Sequence, residues 1–282
     1  MKRIDSHQHF WRYTPVEYAW IDDSMAAIRR DFLPADAVSE MRRADMAACV
    51  AVQARQSLEE TRWLLELADA NAFIAGVVGW VDLQAGDATA QLRRFASHRK
   101  LVGVRHIVQA EADDRFLLRP AFCRGIERLR EHGLTYDILV YPRHLPVAIE
   151  FVARFPEQPF VLDHMAKPEI RTGEIRAWER GMRELATFPH VWCKVSGLVT
   201  EAAWREWTEE QMRPYLEVAF DCFGADRLLA GSDWPVCTLA ADYSSTISII
   251  DRYLDRRPAS ERDAVMGGNA ARLWRLPVGE AV

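Results

Sequence analysis

Ile4-Asp5-Ser6-His7-Gln8-His9-Phe10 places an apolar step at the head of a short run and two histidines, one residue apart, near its end. On a strand, residues i and i+2 share a face, so His7 and His9 point the same way with Cα atoms roughly 6–7 Å apart. Both imidazoles can then reach one metal ion or one substrate oxygen. A solvated strand gains nothing from that arrangement. This run, residues 3–10, is the first of eight. The others are 48–53, 74–81, 102–108, 136–141, 160–164, 191–195 and 228–232. The central ones are nearly all apolar, as expected of strands buried on both faces.

Helix-type segments lie between the runs. In residues 58–70, Leu58, Thr61, Leu65 and Ala68 fall at helical spacing, and Leu64 and Leu67 widen the apolar face. Residues 88–96, 120–131, 146–155, 175–186, 209–222 and 245–254 behave similarly. A last helix is expected over 260–274, opened by a capping-box-like Ser260-Glu261-Arg262-Asp263. Strand–helix alternation repeated eight times predicts an α/β fold in which a parallel sheet closes on itself. This is a (β/α)8 TIM-type barrel, with residues 1–282 as a single domain. A doubly wound open sheet is the competing architecture. The longest connection, from Trp11 to about Leu33, is rich in aromatic and charged residues, and a connection of that length is expected to cover the site.

Composition narrows the partners. The chain has 282 residues, 49% of them hydrophobic, and a formal charge of −5. No basic stripe is present, so no nucleic acid partner is expected. No stretch approaches the roughly 20 apolar residues that span a bilayer, so no membrane partner is expected either. Met1-Lys2-Arg3 leads into polar Asp5-Ser6 instead of an apolar run, which argues against a secretory leader. Cys49, Cys123, Cys193, Cys222 and Cys237 are odd in number and widely spaced, which points to reduced thiols in a cytoplasmic protein. A homo-oligomer is allowed by this composition.

In such a barrel, reactive side chains sit at the C-terminal ends of strands. Those ends carry His7 and His9, Arg105-His106, Tyr141 with Arg143 and His144, Asp163-His164 leading to Lys167, Lys194 before Ser196-Gly197, and Ser232-Asp233-Trp234-Pro235. Each has a plainer reading. His164 could be a core histidine partnered by Asp163, and Asp233 a turn residue before Pro235. Lys194 could be solvated, but it sits inside the apolar run Val191-Trp192-Cys193-Lys194-Val195, where a lysine is costly unless paired. The set suits hydrolysis of a polarised carbonyl. Asp233 can take a proton from water, histidines or a metal can hold the carbonyl oxygen, and Lys194 or Arg105 can meet negative charge. His7, His9, Trp11, Arg105, His106, Lys167 and Trp234 are the expected substrate contacts, the tryptophans serving with Trp80 as an aromatic platform. No Gly-x-Ser-x-Gly elbow and no phosphate loop occurs.

Five segments together resemble the amidohydrolase superfamily, of the amidohydrolase 2 type and its sugar-lactonase branch. They are Ile4-Asp5-Ser6-His7-Gln8-His9-Phe10-Trp11, Leu162-Asp163-His164-Met165-Ala166-Lys167-Pro168, Cys193-Lys194-Val195-Ser196-Gly197-Leu198, Gly231-Ser232-Asp233-Trp234-Pro235 and Gly268-Asn269-Ala270-Ala271-Arg272-Leu273. The resemblance implies a barrel that opens a sugar-acid lactone, of the L-fucono, L-galactono or L-rhamnono kind, to its aldonic acid. It implies Asp233 as the group that activates water and His7, His9 and His164 as contacts of the carbonyl oxygen or a bound ion. Asp233, His164 and, from its buried position, Lys194 are thus the expected catalytic groups. Residues 136–141 lack the histidine that metal-dependent relatives carry, and Arg105-His106 stands where they have lysine or glutamate. A two-metal site is therefore unsupported. One divalent cation such as Zn2+, held by His7, His9, His164 and Asp233, is the most this set implies. The alternative is that the same side chains act on the carbonyl without it. A metal-dependent decarboxylase of the same superfamily and a non-catalytic ligand-binding barrel are the competing functions.

Overall fold

The computed structural model describes residues 2–276. Its strands β1 (Ile4–Gln8), β2 (Ala48–Val52), β3 (Ile74–Gly79), β4 (Leu101–His106), β5 (Thr135–Ile138), β6 (Phe160–Leu162), β7 (Val191–Val195) and β8 (Leu228–Ala230) form one sheet in chain order. Each pairs in parallel with the next. β8 returns to β1 through the parallel bridge Gln8–Trp234, where His9 N donates to Trp234 O at 2.6 Å and Asp233 N donates to His7 O at 2.9 Å. The (β/α)8 barrel expected from the alternation is therefore the fold, and the open sheet is not.

Around it run α1 (Pro34–Arg43), α2 (Leu58–Ala70), α3 (Ala88–Ala96), α4 (Pro120–Leu129), α5 (Leu145–Ala153), α6 (Arg176–Leu185), α7 (Leu198–Glu201), α8 (Glu209–Phe223), α9 (Tyr243–Leu254), α10 (Ala259–Asp263) and α11 (Asn269–Trp274). α2 starts where Ser57 accepts from the amides of Glu59 and Glu60, and it turns Leu64, Leu65 and Ala68 onto the sheet. α1 is a helix that hydrophobic spacing does not announce. Pro34 opens it and the Asp36 carboxylate accepts from Leu33 N at 2.8 Å. Among the described residues no helix is long and apolar enough to cross a membrane.

The far end of the barrel is plugged. Ala270, Trp274 and Leu276 pack against Ile4, Val50, Val52, Val78, Val102, Val161 and Leu229. Trp274 Nε1 donates to Thr135 Oγ1 at 3.1 Å, and the Lys194 ammonium stands 5.6 Å above its ring. Reaching that position breaks the expected 260–274 helix. It becomes α10, a wide turn over Ala264–Gly268, and α11, with Gly267 lying against the backbone of Lys2 and Ile4. Ser260 falls inside α10 and makes no cap, because Pro258 precedes the helix.

Seven strands are shorter than their apolar runs, and after β6 and β8 the chain leaves the sheet in strained turns. After β6, His164, Met165, Ala166 and Lys167 all take left-handed φ between 51° and 58°, and after β8 Asp233 does so at 59°. For non-glycine residues this costs about 1–2 kcal/mol each. Trp178 Nε1 holds the first turn by donating to Met165 O at 2.6 Å. β5 stops at Ile138, before the end of its run.

A Cβ at Gly267 would lie 2.3 Å from Lys2 O and 2.9 Å from Ile4 N, both backbone atoms that cannot give way cheaply. Gly267→Ala is expected to destabilise the protein by about 1–3 kcal/mol, read as a lowered denaturation midpoint in urea.

Candidate active site

The inside of the barrel mouth is built in two storeys. In the lower one Lys194, fully buried on β7, places Nζ 2.5 Å from Asp137 Oδ2 on β5 and 2.9 Å from Asp163 Oδ1 after β6. Asp163 Oδ2 accepts from Arg105 Nη1 of β4 at 2.9 Å. Arg105 Nη2 also donates to the carbonyl of Gln53. Two cations face two carboxylates, so the group is neutral as a whole. Burial drives the Asp137 carboxyl up to about 6 against the pull of Lys194. Burial also pushes Asp163 upward, but Lys194, His7 and Arg105 together hold it well below the usual carboxylate range.

The upper storey stands on this one. His7 Nδ1 lies 3.4 Å from Asp163 Oδ1 and 3.2 Å from Lys194 Nζ. The Lys194 ammonium only donates, so it calls for a lone pair on Nδ1 where the Asp163 carboxylate calls for a proton, and Nε2 lies 3.2 Å from Arg105 Nη1. His9 Nδ1 faces Val52 O at 2.8 Å, and a carbonyl only accepts, so Nδ1 carries the proton and Nε2 is a lone pair. The two Nε2 atoms are 3.2 Å apart. Asp233 Oδ1 lies 3.3 Å from His9 Nε2, 3.8 Å from His7 Nε2 and 3.9 Å from His164 Nε2. His164 is turned by Ser196, whose Oγ is 2.8 Å from Nδ1. Gly197, at φ 69°, makes room for that ring: a Cβ there would sit 2.8 Å from Nδ1.

The His9 lone pair and the Asp233 carboxylate face this centre, and a cation fits beside them. Ligand atoms of His7, His164 and Asp233 all lie within 4.8 Å of one another, so this group could hold a metal. Burial lowers the His7 imidazole well below its ordinary value and brings His164 down to about 4, so both are neutral near pH 7. Burial pushes Asp233 upward, but His164, His9 and His7 outweigh it and keep the carboxylate ionised.

Above lies a cavity of about 380 Å³ lined by His9, Arg105, His164, Lys167 and Asp233 on the floor. Its walls are Glu17, Ala19 and Trp20 from the long connection, Ala54, Arg55 and Gln56 after β2, Ile107, Gln109 and Ala110 after β4, and Leu139 and Val236. Lys167 is held by Glu201 at 3.2 Å. The connection from Trp11 to Leu33 thus covers the site as its length foretold.

Several expected contacts lie elsewhere. Lys194 sits beneath His7 and does not line the cavity, so it supports the side chains above it and is not placed as the expected catalytic group. His106 alternates to the outer face of β4. It stacks on Phe116 at 4.5 Å, accepts from Trp80 Nε1 and meets Glu111 at 2.7 Å. Trp80 is thereby turned away as well. Trp11 is fully buried under the connection, donating to Arg30 O at 2.9 Å, and Trp234 packs on Phe10 and Phe32. His144 is buried and bonds the Tyr141 amide and Asp114. The tryptophans find more apolar contact in the shell than at the mouth, and His106 and His144 are held there by Glu111 and Asp114. The residues that sequence reading missed are Asp137 as a partner of Lys194, and Glu17, Arg55 and Gln109 in the wall. The strand-end rule, applied to Gln53-Ala54-Arg55-Gln56, would have found Arg55.

An eight-stranded barrel whose strand ends bring His9, His164 and an aspartate to one cavity, with His7 buried just beneath the floor and not lining it as expected, defines a hydrolase-type mouth. The chain belongs to the amidohydrolase family, whose pattern it matches over residues 4–276. It is 44% identical to an L-fucono-1,5-lactonase of Burkholderia multivorans, covering 98% of this chain and 96% of the relative. It is 40% identical to an L-fucono-1,5-lactonase of Burkholderia ambifaria, over 97% and 96%. A crystal structure of an amidohydrolase from Burkholderia multivorans with bound zinc superposes with a TM-score of 0.95 at 43% identity, over 98% of this chain and all of that one.

Lys194→Met removes the charge that compensates Asp137 and Asp163. It is expected to cost about 3–5 kcal/mol of stability, measured by urea denaturation, because two carboxylates are left buried with only Arg105 between them.

Proposed function

We propose that this protein hydrolyses a sugar lactone to its aldonic acid, with an L-fuconolactone-like compound as the leading substrate. The observation that carries the reading is the ionised Asp233 carboxylate, ringed by His7, His9 and His164 on the floor of a cavity whose walls offer hydroxyl-binding groups. Two relatives at 40% identity or more bear the name L-fucono-1,5-lactonase, which supports it. The five cysteines are all free, which supports a reducing compartment, the cytoplasm.

In this reading a water beside Asp233 attacks the lactone carbonyl carbon while the carboxylate takes its proton. Arg105 and Lys167 stand on the same floor and stabilise the oxygen that gains negative charge. The tetrahedral species collapses by breaking the bond to the ring oxygen, which leaves with the proton from Asp233. The product is a hydroxy acid that loses its acidic proton to solvent. His7, His9, His164 and Asp233 are the side chains that would hold a single divalent cation such as Zn2+. When bound, such an ion supplies Lewis acidity to the carbonyl. His164 and His7, neutral at the working pH, contribute lone pairs whether or not the ion is there.

Purified protein is expected to release acid from sugar lactones in a pH-indicator assay, and Asp233→Asn to lower kcat at least about a thousandfold. Undiminished turnover by the Asn variant would remove Asp233 from the role of base. The acid limb of kcat/KM is expected near pH 4 instead of near 6.5. His164 is lowered, so it stays neutral until pH falls through about 4, and Asp233 is still ionised there. A limb centred near 6.5 would show that His164 is not held neutral by burial.

A further inference from the structure

The wall opposite the reactive floor carries unmet hydrogen-bonding capacity. Arg55 Nε is a buried donor and Gln109 Oε1 a buried acceptor, and neither has a partner among the described residues. Both side chains line the cavity. The guanidinium end of Arg55 is engaged by Glu17 of the long connection, with Arg55 Cζ 5.8 Å from the Tyr18 ring centroid. Arg55, Gln109 and Glu17 together bring donors and acceptors to one cavity, which suits a ligand that both donates and accepts. A polyhydroxylated ring does this at every carbon, since each hydroxyl offers one proton and two lone pairs.

The wall is held from behind by one carboxylate. Glu60, in the first turn of α2, is buried. Its Oε2 accepts from Ala54 N at 3.1 Å and from Arg55 N at 2.9 Å, and its Oε1 accepts from Tyr18 Oη at 3.3 Å. The turn after β2 and the connection over the mouth are thereby pinned to the same side chain. None of Glu17, Arg55, Gln109 or Glu60 hydrogen-bonds to Asp233 or the three histidines.

Resting on the lactonase reading, we propose that Arg55 and Gln109, with Glu17, form the specificity-determining wall that reads the hydroxyl pattern of the lactone, and that Glu60 is its positioning residue. The wall acts on affinity and discrimination, and the floor acts on the carbonyl. A site built to bond a hydroxyl rejects the analogue that lacks it, because the buried partners are then left unpaired.

The test uses the full chain and matched aldonolactones, each parent compared with deoxy analogues that lack one hydroxyl. Arg55→Met and Gln109→Leu are expected to raise KM for the parent about tenfold or more, to leave kcat within about threefold, and to change the preferred deoxy analogue little, so that discrimination collapses. Glu60→Gln is expected to show the same KM-sided loss. A variant that merely loosened the fold would lose parent and analogue alike. Glu17→Gln, at a half-exposed position, serves where Arg55→Met does not fold, and is expected to weaken the same discrimination. Equal losses on parent and every analogue, or losses confined to kcat, overturn the wall. Wild-type protein silent on all the lactones overturns the lactonase reading itself, and the wall with it.

Discussion

The pairing of Lys194 with Asp137 and Asp163 inside the barrel is the contact on which the site rests. A closed barrel admits little water, so a charge placed there loses its hydration and must find it again in partners. Lys194 alone would be ruinous. Placed within 2.9 Å of two carboxylates, with Arg105 on the far side of one of them, it completes a group of zero net charge. That group ties β4, β5 and β7 to the turn after β6. It also fixes the His7 ring, whose Nδ1 lies 3.2 Å from Lys194 Nζ and 3.4 Å from Asp163 Oδ1. The side chains above therefore inherit their geometry from an ionic layer in which Lys194, Asp137 and Asp163 do not line the cavity.

A second carboxylate does the same at the seam. Asp5 is fully buried and accepts four hydrogen bonds: from His7 N at 3.0 Å, Ser232 N at 2.9 Å, Ser232 Oγ at 2.5 Å and Tyr243 Oη at 2.9 Å. Burial still drives its carboxyl up to about 6. One side chain thus holds the segments that bear His7 and Asp233, the first and last parts of the site in sequence. Barrel closure and site assembly are one event, since the amide of Asp233 also bonds the carbonyl of His7. The left-handed backbone at Asp233 and over His164 to Lys167 is tolerated because such bonds over-determine it.

The fold was legible because its signal is repeated eight times. β7 and α2 match their apolar patterns residue for residue, and misplaced ends elsewhere do not disturb the alternation. His9, Arg105, His164, Lys167 and Asp233 were legible too, since a strand-end rule suffices to place them. The tryptophans were not. Trp11 and Trp234 follow strand ends as the cavity-floor residues do, and packing against Phe32 draws them away from the cavity. His106 sits beside Arg105, and one step of strand alternation separates a cavity group from a shell group. α1 was silent because it is carried by a proline start and an aspartate cap more than by apolar spacing.

The sequence by itself determined the barrel, the His-x-His face and the strand ends that supply the third histidine and the aspartate. Periodicity and position along a strand are local properties, and they are written residue by residue. Only the tertiary structure decided that Lys194 is a buried support, that Asp137 is its partner and that Arg55 and Gln109 line the cavity. Those outcomes depend on which groups meet across the barrel from positions far apart in the chain. Desolvation and charge pairing act on that meeting, and no stretch of neighbouring residues records it.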